Sequence, residues 1–146
     1  MIEIRKATQS DYDGLNRLYF QLTNGDHGLS PDFPAIFEQM QSDNSYHLMV
    51  AIDTNKRVVG SLLGIVCKSL ADNYEAFLVI EDVIVDKEAR RAGVGRALFE
   101  KMDEIAIENK CAYSILVSSG FRKEAHQFYE NMGYSDSVLG FRKKYR

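Results

Sequence analysis

The run Ala76–Val85, Ala-Phe-Leu-Val-Ile-Glu-Asp-Val-Ile-Val, constrains the fold more than any other stretch of the chain. It is rich in β-branched residues (Val79, Ile80, Val83, Ile84, Val85) at both alternating positions. A strand apolar on both faces has to be covered from both sides, which places it inside a sheet between layers. Directly after it the hydrophobic period changes from two to about 3.6 residues, with Val94, Leu98, Met102, Ile105 and Ala106 on one side of a helix over 93–109. A buried strand feeding a long amphipathic helix is the core unit of a layered α/β protein.

The flanking segments extend this pattern. Residues 2–7 alternate as a strand, and a helix over 11–22 follows, capped from Thr8 or Ser10, with Leu15, Leu18, Tyr19 and Leu22 as its stripe. A second helix is expected from Asp32 to Met40, with Pro34 in its first turn. Strands are expected at Tyr46–Ile52 and Val58–Cys67, joined by the turn-forming tetrad Asp53-Thr54-Asn55-Lys56. A strand at Ala112–Val117, a helix at Glu124–Met132 ended by Gly133, and a last strand at Val138–Lys143 complete the order. The expected fold class is α/β, with a mixed, mostly antiparallel central sheet flanked by helices. With 146 residues and no linker or repeat, the expectation is one domain over 1–146.

Between strand and helix lies Asp86-Lys87-Glu88-Ala89-Arg90-Arg91-Ala92-Gly93-Val94-Gly95-Arg96. The first-turn amides of a helix have no intrahelical acceptor, and together with the helix dipole they form an anion site that glycine lets a ligand approach. Arg90, Arg91 and Arg96 add positive charge. The run lacks the spacing of a P-loop and of the dinucleotide fingerprint. On spacing alone, a tight turn with solvated arginines is the competing reading.

Three segments in order resemble one family. Arg90-x-x-Gly93-x-Gly95 resembles the Arg/Gln-x-x-Gly-x-Gly/Ala signature of the GNAT N-acetyltransferase superfamily. Residues 79–85 resemble its acidic fourth strand, and residues 124–134 resemble its last helix with the Tyr-Glu-x-x-Gly-Tyr ending. The resemblance runs over about 46–146 and implies a GNAT-like fold with acetyl-coenzyme A as cosubstrate. It implies that Arg90, Arg91, Ala92, Gly93, Val94, Gly95 and Arg96 bind the diphosphate. The edge Val83, Ile84 and Val85 would pair with the pantetheine arm like an added strand. Many members carry Asn seven residues before the tyrosine that Tyr129 matches; here that position is Arg122, which is expected at the cofactor together with His126 and Tyr129. Ser118, Ser119 and Lys123 are further candidates for phosphate or substrate contact.

Acyl transfer to an amine needs a neutral nitrogen. An alkylammonium of pKa about 10.4 is only about one part in 2,500 neutral at pH 7. Glu81 and Asp82 are the carboxylates set inside an apolar strand, and Glu81 is the expected base or ammonium ligand. Consecutive strand residues point to opposite faces, so ordinarily only one of them can face a given cleft. The β-bulge that the resemblance implies would splay the strand and expose backbone groups for the ligand. The Val83 amide is the candidate for polarising the thioester carbonyl. As the match to the family's tyrosine, Tyr129 implies a phenol hydrogen-bonded to the coenzyme sulfur. Tyr19, Asp26, His27, Glu81 and Asp82, with Tyr74, are expected at the acceptor amine. Asp26, Asp32, Glu38, Asp43, Asp72 and Glu75 form either an acidic rim or ordinary solvated charge.

The expected reaction is transfer of an acetyl group to a primary amine of a small molecule by direct attack in a ternary complex. Acetylation of a protein lysine or N-terminus, or a non-catalytic coenzyme A-binding module, are the alternatives. Net charge -3 gives no general reason to expect nucleic acid or an anionic membrane as partner. The 3 histidines and 2 cysteines show no metal-ligand spacing, so no metal is expected. Free thiols and the lack of a signal-like or spanning segment suggest the cytoplasm. A homodimer through residues 138–143 or an exposed strand edge is compatible with the sequence.

Overall fold

The computed structural model describes residues 1–71, 75–118 and 123–146, in two compact units, Met1–Ile115 and Leu116–Arg146. The first unit is a five-stranded sheet in the order β1 (Glu3–Lys6), β2 (Tyr46–Ile52), β3 (Val58–Lys68), β4 (Ala76–Val85) and β5 (Cys111–Ile115). Neighbours are antiparallel except β4 and β5, which run parallel. The parallel pair is connected by α3 (Val94–Glu108), the kind of crossover a parallel pair requires.

Two apolar layers cover the sheet. On one face α1 (Tyr12–Leu22) and α2 (Phe33–Gln41) bury Leu15, Leu18, Phe33 and Phe37 in a cluster that includes Val50, Ile52, Val58 and Ile84. On the other face α3 buries Val94, Leu98, Phe99, Met102 and Ile105. That helix lies close to β3: a Cβ on Gly60 would stand 2.7 Å from Val94, and one on Gly64 would stand 2.5 Å from the Met102 sulfur. Asp11 ties β1 to the start of α1, accepting from the Arg5 guanidinium at 2.8 and 2.9 Å and from the Thr8 amide at 2.7 Å.

The second unit contains α4 (Lys123–Asn131). It ends in a Schellman motif: the Gly133 amide donates to the Glu130 carbonyl at 3.0 Å and the Tyr134 amide to the Tyr129 carbonyl at 2.9 Å, with Gly133 at φ +92°. The expected last strand at Val138–Lys143 does not form. Alternation suggests a strand there, but a strand needs a hydrogen-bonded neighbour. The segment has none among the described residues, and Val138, Leu139 and Phe141 are 74%, 83% and 93% exposed.

Candidate active site

The β3–β4 ladder breaks at the two carboxylates. Ser61 pairs with Ile84 and Leu63 with Glu81, so Asp82 and Val83 together stand opposite Leu62. Asp82 has φ +54°, a left-handed conformation unusual for a non-glycine residue. This is a β-bulge, and it reverses which face each side chain takes. Before it, Ile80 lies opposite Gly64, whose missing Cβ would meet α3; after it, Ile84 belongs to the α1/α2 core. Glu81 and Asp82 therefore both project to the α1 side, which regular alternation forbids.

On that side the Tyr19 phenol of α1 lies beside the Asp82 carboxylate and favours its charged form. Burial raises the Asp82 pKa above the ordinary carboxylate value, and the Tyr19 hydrogen bond opposes part of the rise. Burial, reinforced by the Asp82 charge, holds the Tyr19 phenol well above its ordinary value, so it remains a donor. Glu81 is the more exposed of the two carboxylates.

The opposite edge of β4 opens at the same level. β5 pairs with β4 from Ala76 only as far as Val79, opposite Ile115. Among the described residues no strand pairs with residues 80–85 on that side. The backbone of Val83, Ile84 and Val85 therefore lies along an open sheet edge of the kind that takes an added extended chain.

Beyond β4 the chain makes a short 3-10 turn, Lys87–Ala89, and reaches α3 through Arg91 at φ +66° and Gly93 at φ +81°. Gly93 is the N-cap residue and caps no amide with a side chain. The first amide in register with a helical acceptor is that of Ala97, which donates to the Gly93 carbonyl at 3.0 Å. The amides of Val94, Gly95 and Arg96 precede it. Nothing lies within 4 Å of the position a Gly93 Cβ would occupy, and Arg90, Arg91, Ala92 and Arg96 are exposed around it. The cradle fits a diphosphate: open, backbone-lined, at a helix N-terminus and rimmed by guanidinium groups.

A buried charge cluster that sequence reasoning missed anchors the cradle. Asp86, directly after β4, is only 1% exposed. It accepts from the Glu88 amide at 3.1 Å and from Gln21 at 3.4 Å, and it pairs with Arg17 and, at 3.7 Å, with Arg57. Arg17 also donates to the Val58 carbonyl at 2.6 Å, and Gln21 accepts from the Lys87 amide at 3.1 Å. Burial alone would raise the Asp86 pKa, but these donors hold it below the ordinary value. The polar end of α1 is thereby bound to the loop that leads into the cradle. An Asp directly after an apolar strand was the available signal.

The other predicted residues are placed less tightly. Asp26 and His27 are exposed in the α1–α2 loop, where the Thr23 hydroxyl donates to the His27 carbonyl at 2.6 Å. Neither side chain has a hydrogen bond or ion pair to Glu81 or Asp82. Within the second unit, Tyr129 is half-buried on α4, edge-on to Phe128 at 5.7 Å and to Tyr134 at 6.3 Å, and His126 lies one turn earlier. Asp72, Tyr74, Ser119 and Arg122 lie outside the described residues.

Comparison with known proteins agrees with this arrangement. Residues 12–134 match the model of the acetyltransferase (GNAT) family. A putative acetyltransferase from Agrobacterium tumefaciens is similar at TM-score 0.88 and 25% identity, over 97% of this chain and 99% of that one. A Trypanosoma brucei acetyltransferase is similar at TM-score 0.83 and 28% identity, over 99% of each chain. Glucosamine-6-phosphate N-acetyltransferase from Arabidopsis thaliana shares the fold at TM-score 0.86 and 23% identity, over 100% of this chain and 99% of that one. The bulged fourth strand, the parallel fifth strand joined through α3, and the open turn at the start of that helix thus occur in a chain that matches the family over most of its length, and the chain belongs to the acetyltransferase (GNAT) family.

Proposed function

We propose that this protein, acting as one domain over its whole length, transfers an acetyl group from acetyl-coenzyme A to a primary amine of a small molecule in a ternary complex. The observation that carries the reading is the bulge in β4. One backbone irregularity turns two carboxylates toward the acceptor side and leaves the neighbouring strand edge open for an extended arm.

Acetyl-coenzyme A supplies the activated acyl thioester. The chain holds it through the amides of Gly93, Val94, Gly95 and Arg96 with the charges of Arg90, Arg91 and Arg96 at the diphosphate, and through the backbone of Val83, Ile84 and Val85 along the arm. The Val83 amide polarises the acyl carbonyl oxygen. Tyr129 hydrogen-bonds the coenzyme sulfur, and Arg122 and His126 contact the cofactor; these roles rest on the match of 122–134 to the family's last helix.

The two carboxylates divide the work on the amine. Glu81, exposed, attracts and orients the ammonium form together with Asp26 and His27. Asp82, partly desolvated and steadied by Tyr19, accepts the proton that must leave before the nitrogen can attack. Its raised pKa makes it a stronger base than a solvated carboxylate.

Incubation with acetyl-coenzyme A and a mixed panel of polyamines, amino sugars, aminoglycosides and amino acids, read by mass spectrometry, tests the proposal. A product heavier by one acetyl group, formed much more slowly by Asp82→Asn, is expected. No acetylated small molecule from the panel, with acetylation of added peptides instead, would transfer the reading to a protein acetyltransferase.

A further inference from the structure

A second cleft, of about 400 Å³, opens in the first unit on the face of the sheet opposite Asp82. Ile4, Met49 and Ile105 form its apolar floor, and Lys6, His47 and Glu108 supply polar groups. The register places His47 opposite Gly64 and Met49 opposite Leu62, on the α3 side of the sheet. None of these residues belongs to the acetyl-transfer machinery.

The charges in this cleft are unequally committed. Arg5 is bound at both ends by Asp11, at 2.8 and 2.9 Å, and Lys101 pairs with Glu104 at 2.7 Å, so each is neutralised locally. Lys6 and Glu108 are exposed and sit in neither pair. His47 also lines the cleft, and its Nε2 is buried without a hydrogen-bond partner among the described residues. Burial, then the Lys6 charge, lowers the His47 pKa, against a hydrogen bond with the Asn44 backbone and the Glu108 charge. The ring is therefore neutral near pH 7.

One positive group, one negative group and an apolar floor describe the complement of a small zwitterion. We propose that this cleft is a second binding site, for a free α-amino acid, with the carboxylate at Lys6, the ammonium at Glu108, and an apolar side chain against Ile4, Met49 and Ile105. An anion alone would meet Glu108, and a cation alone would meet Lys6, so neither satisfies the whole lining. The cleft is bounded by α3, whose other end forms the diphosphate cradle, so an occupant would touch the same helix that holds the cosubstrate.

The test is a titration of the full chain, with the His47 ring resonances followed by NMR. The probes are individual apolar L-amino acids, the matching amines without carboxylate, and the matching N-acetyl amino acids without ammonium. Expected is a saturable shift of the His47 signals by at least one amino acid, with a dissociation constant of about 1 mM or tighter. Lys6→Gln and Glu108→Gln, both at exposed positions, should each weaken that binding about tenfold or more. Asp82→Asn, in the acetyl-transfer site, should leave it unchanged. The proposal is overturned if no amino acid moves His47 at about 10 mM. Equal binding of the bare amine or the N-acetyl derivative overturns it as well, as does binding that survives both cleft substitutions and is lost in Asp82→Asn.

Discussion

Replacing Tyr19 by Phe tests the acid–base assignment with little change in volume. The Tyr19 hydroxyl lies beside a carboxylate that burial pushes toward its neutral form, and it opposes the push as a hydrogen-bond donor would. A hydrogen bond to a charged group contributes about 1.5–3 kcal/mol. The carboxylate is only partly shielded from solvent, so the contribution stays at the low end, about 1.5 kcal/mol. Without Tyr19 the Asp82 pKa should rise further. A base works in its ionised form, so activity falls as pH drops through the folded-state pKa of Asp82. The acid limb of the kcat/KM profile should therefore move to higher pH in the variant, with a smaller change on the alkaline side. The acceptor amine's own ionisation affects both proteins alike and cancels in the comparison. Stability follows the same sign. A carboxyl whose folded pKa is raised contributes stability below its unfolded pKa that is lost as pH rises through the folded one. Tyr19→Phe should thus be destabilising near neutrality and nearly neutral in acid. The assay is release of free thiol at a series of pH values, paired with urea unfolding at pH 4 and pH 7. Superimposable acid limbs would refute the assignment of Asp82 as base.

Three further perturbations separate the parts of the site. Gly93→Val should cost about 1–2 kcal/mol in the fold, because a left-handed φ penalises a side chain, while calorimetry should show a much larger loss of coenzyme A affinity. Asp86→Ala should destabilise by about 2 kcal/mol in urea unfolding, leaving Arg17 and the Glu88 amide without their acceptor. Because donors depress the Asp86 pKa, its contribution is present above the unfolded carboxylate pKa and fades as pH falls through the folded one, so parent and variant should converge in strong acid. Tyr129→Phe should lower kcat by about 10–100-fold with little change in coenzyme A affinity, and an unchanged kcat would remove its role.

Much of the fold was legible because hydrophobic period and length agree with tertiary demand. The strands Tyr46–Ile52 and Ala76–Val85 form with the bounds that alternation and β-branching suggest, and the long helix begins where the period changes. The cradle was legible for a similar reason, since glycine at a strand-to-helix junction has local meaning. The division between Glu81 and Asp82 was not. Alternation allows either carboxylate to face the cleft, and the bulge that turns both is a matter of register against β3, which local pattern does not carry. The Asp86 cluster was hidden likewise, its Arg17 partner lying 69 positions away. At Val138–Lys143 the local pattern suggested a strand, but a strand is a property of a pair, and the described residues provide no partner.

In the proposed function the amides opening α3 grip the diphosphate of the acyl carrier. Backbone NMR of the uniformly labelled protein, titrated with coenzyme A and separately with pantetheine, tests it most directly. Coenzyme A should produce its largest amide shifts at Gly93, Val94, Gly95 and Arg96, and pantetheine, which lacks the diphosphate, should leave those four nearly still. Coenzyme A binding that shifts other amides while these remain in place would contradict the account.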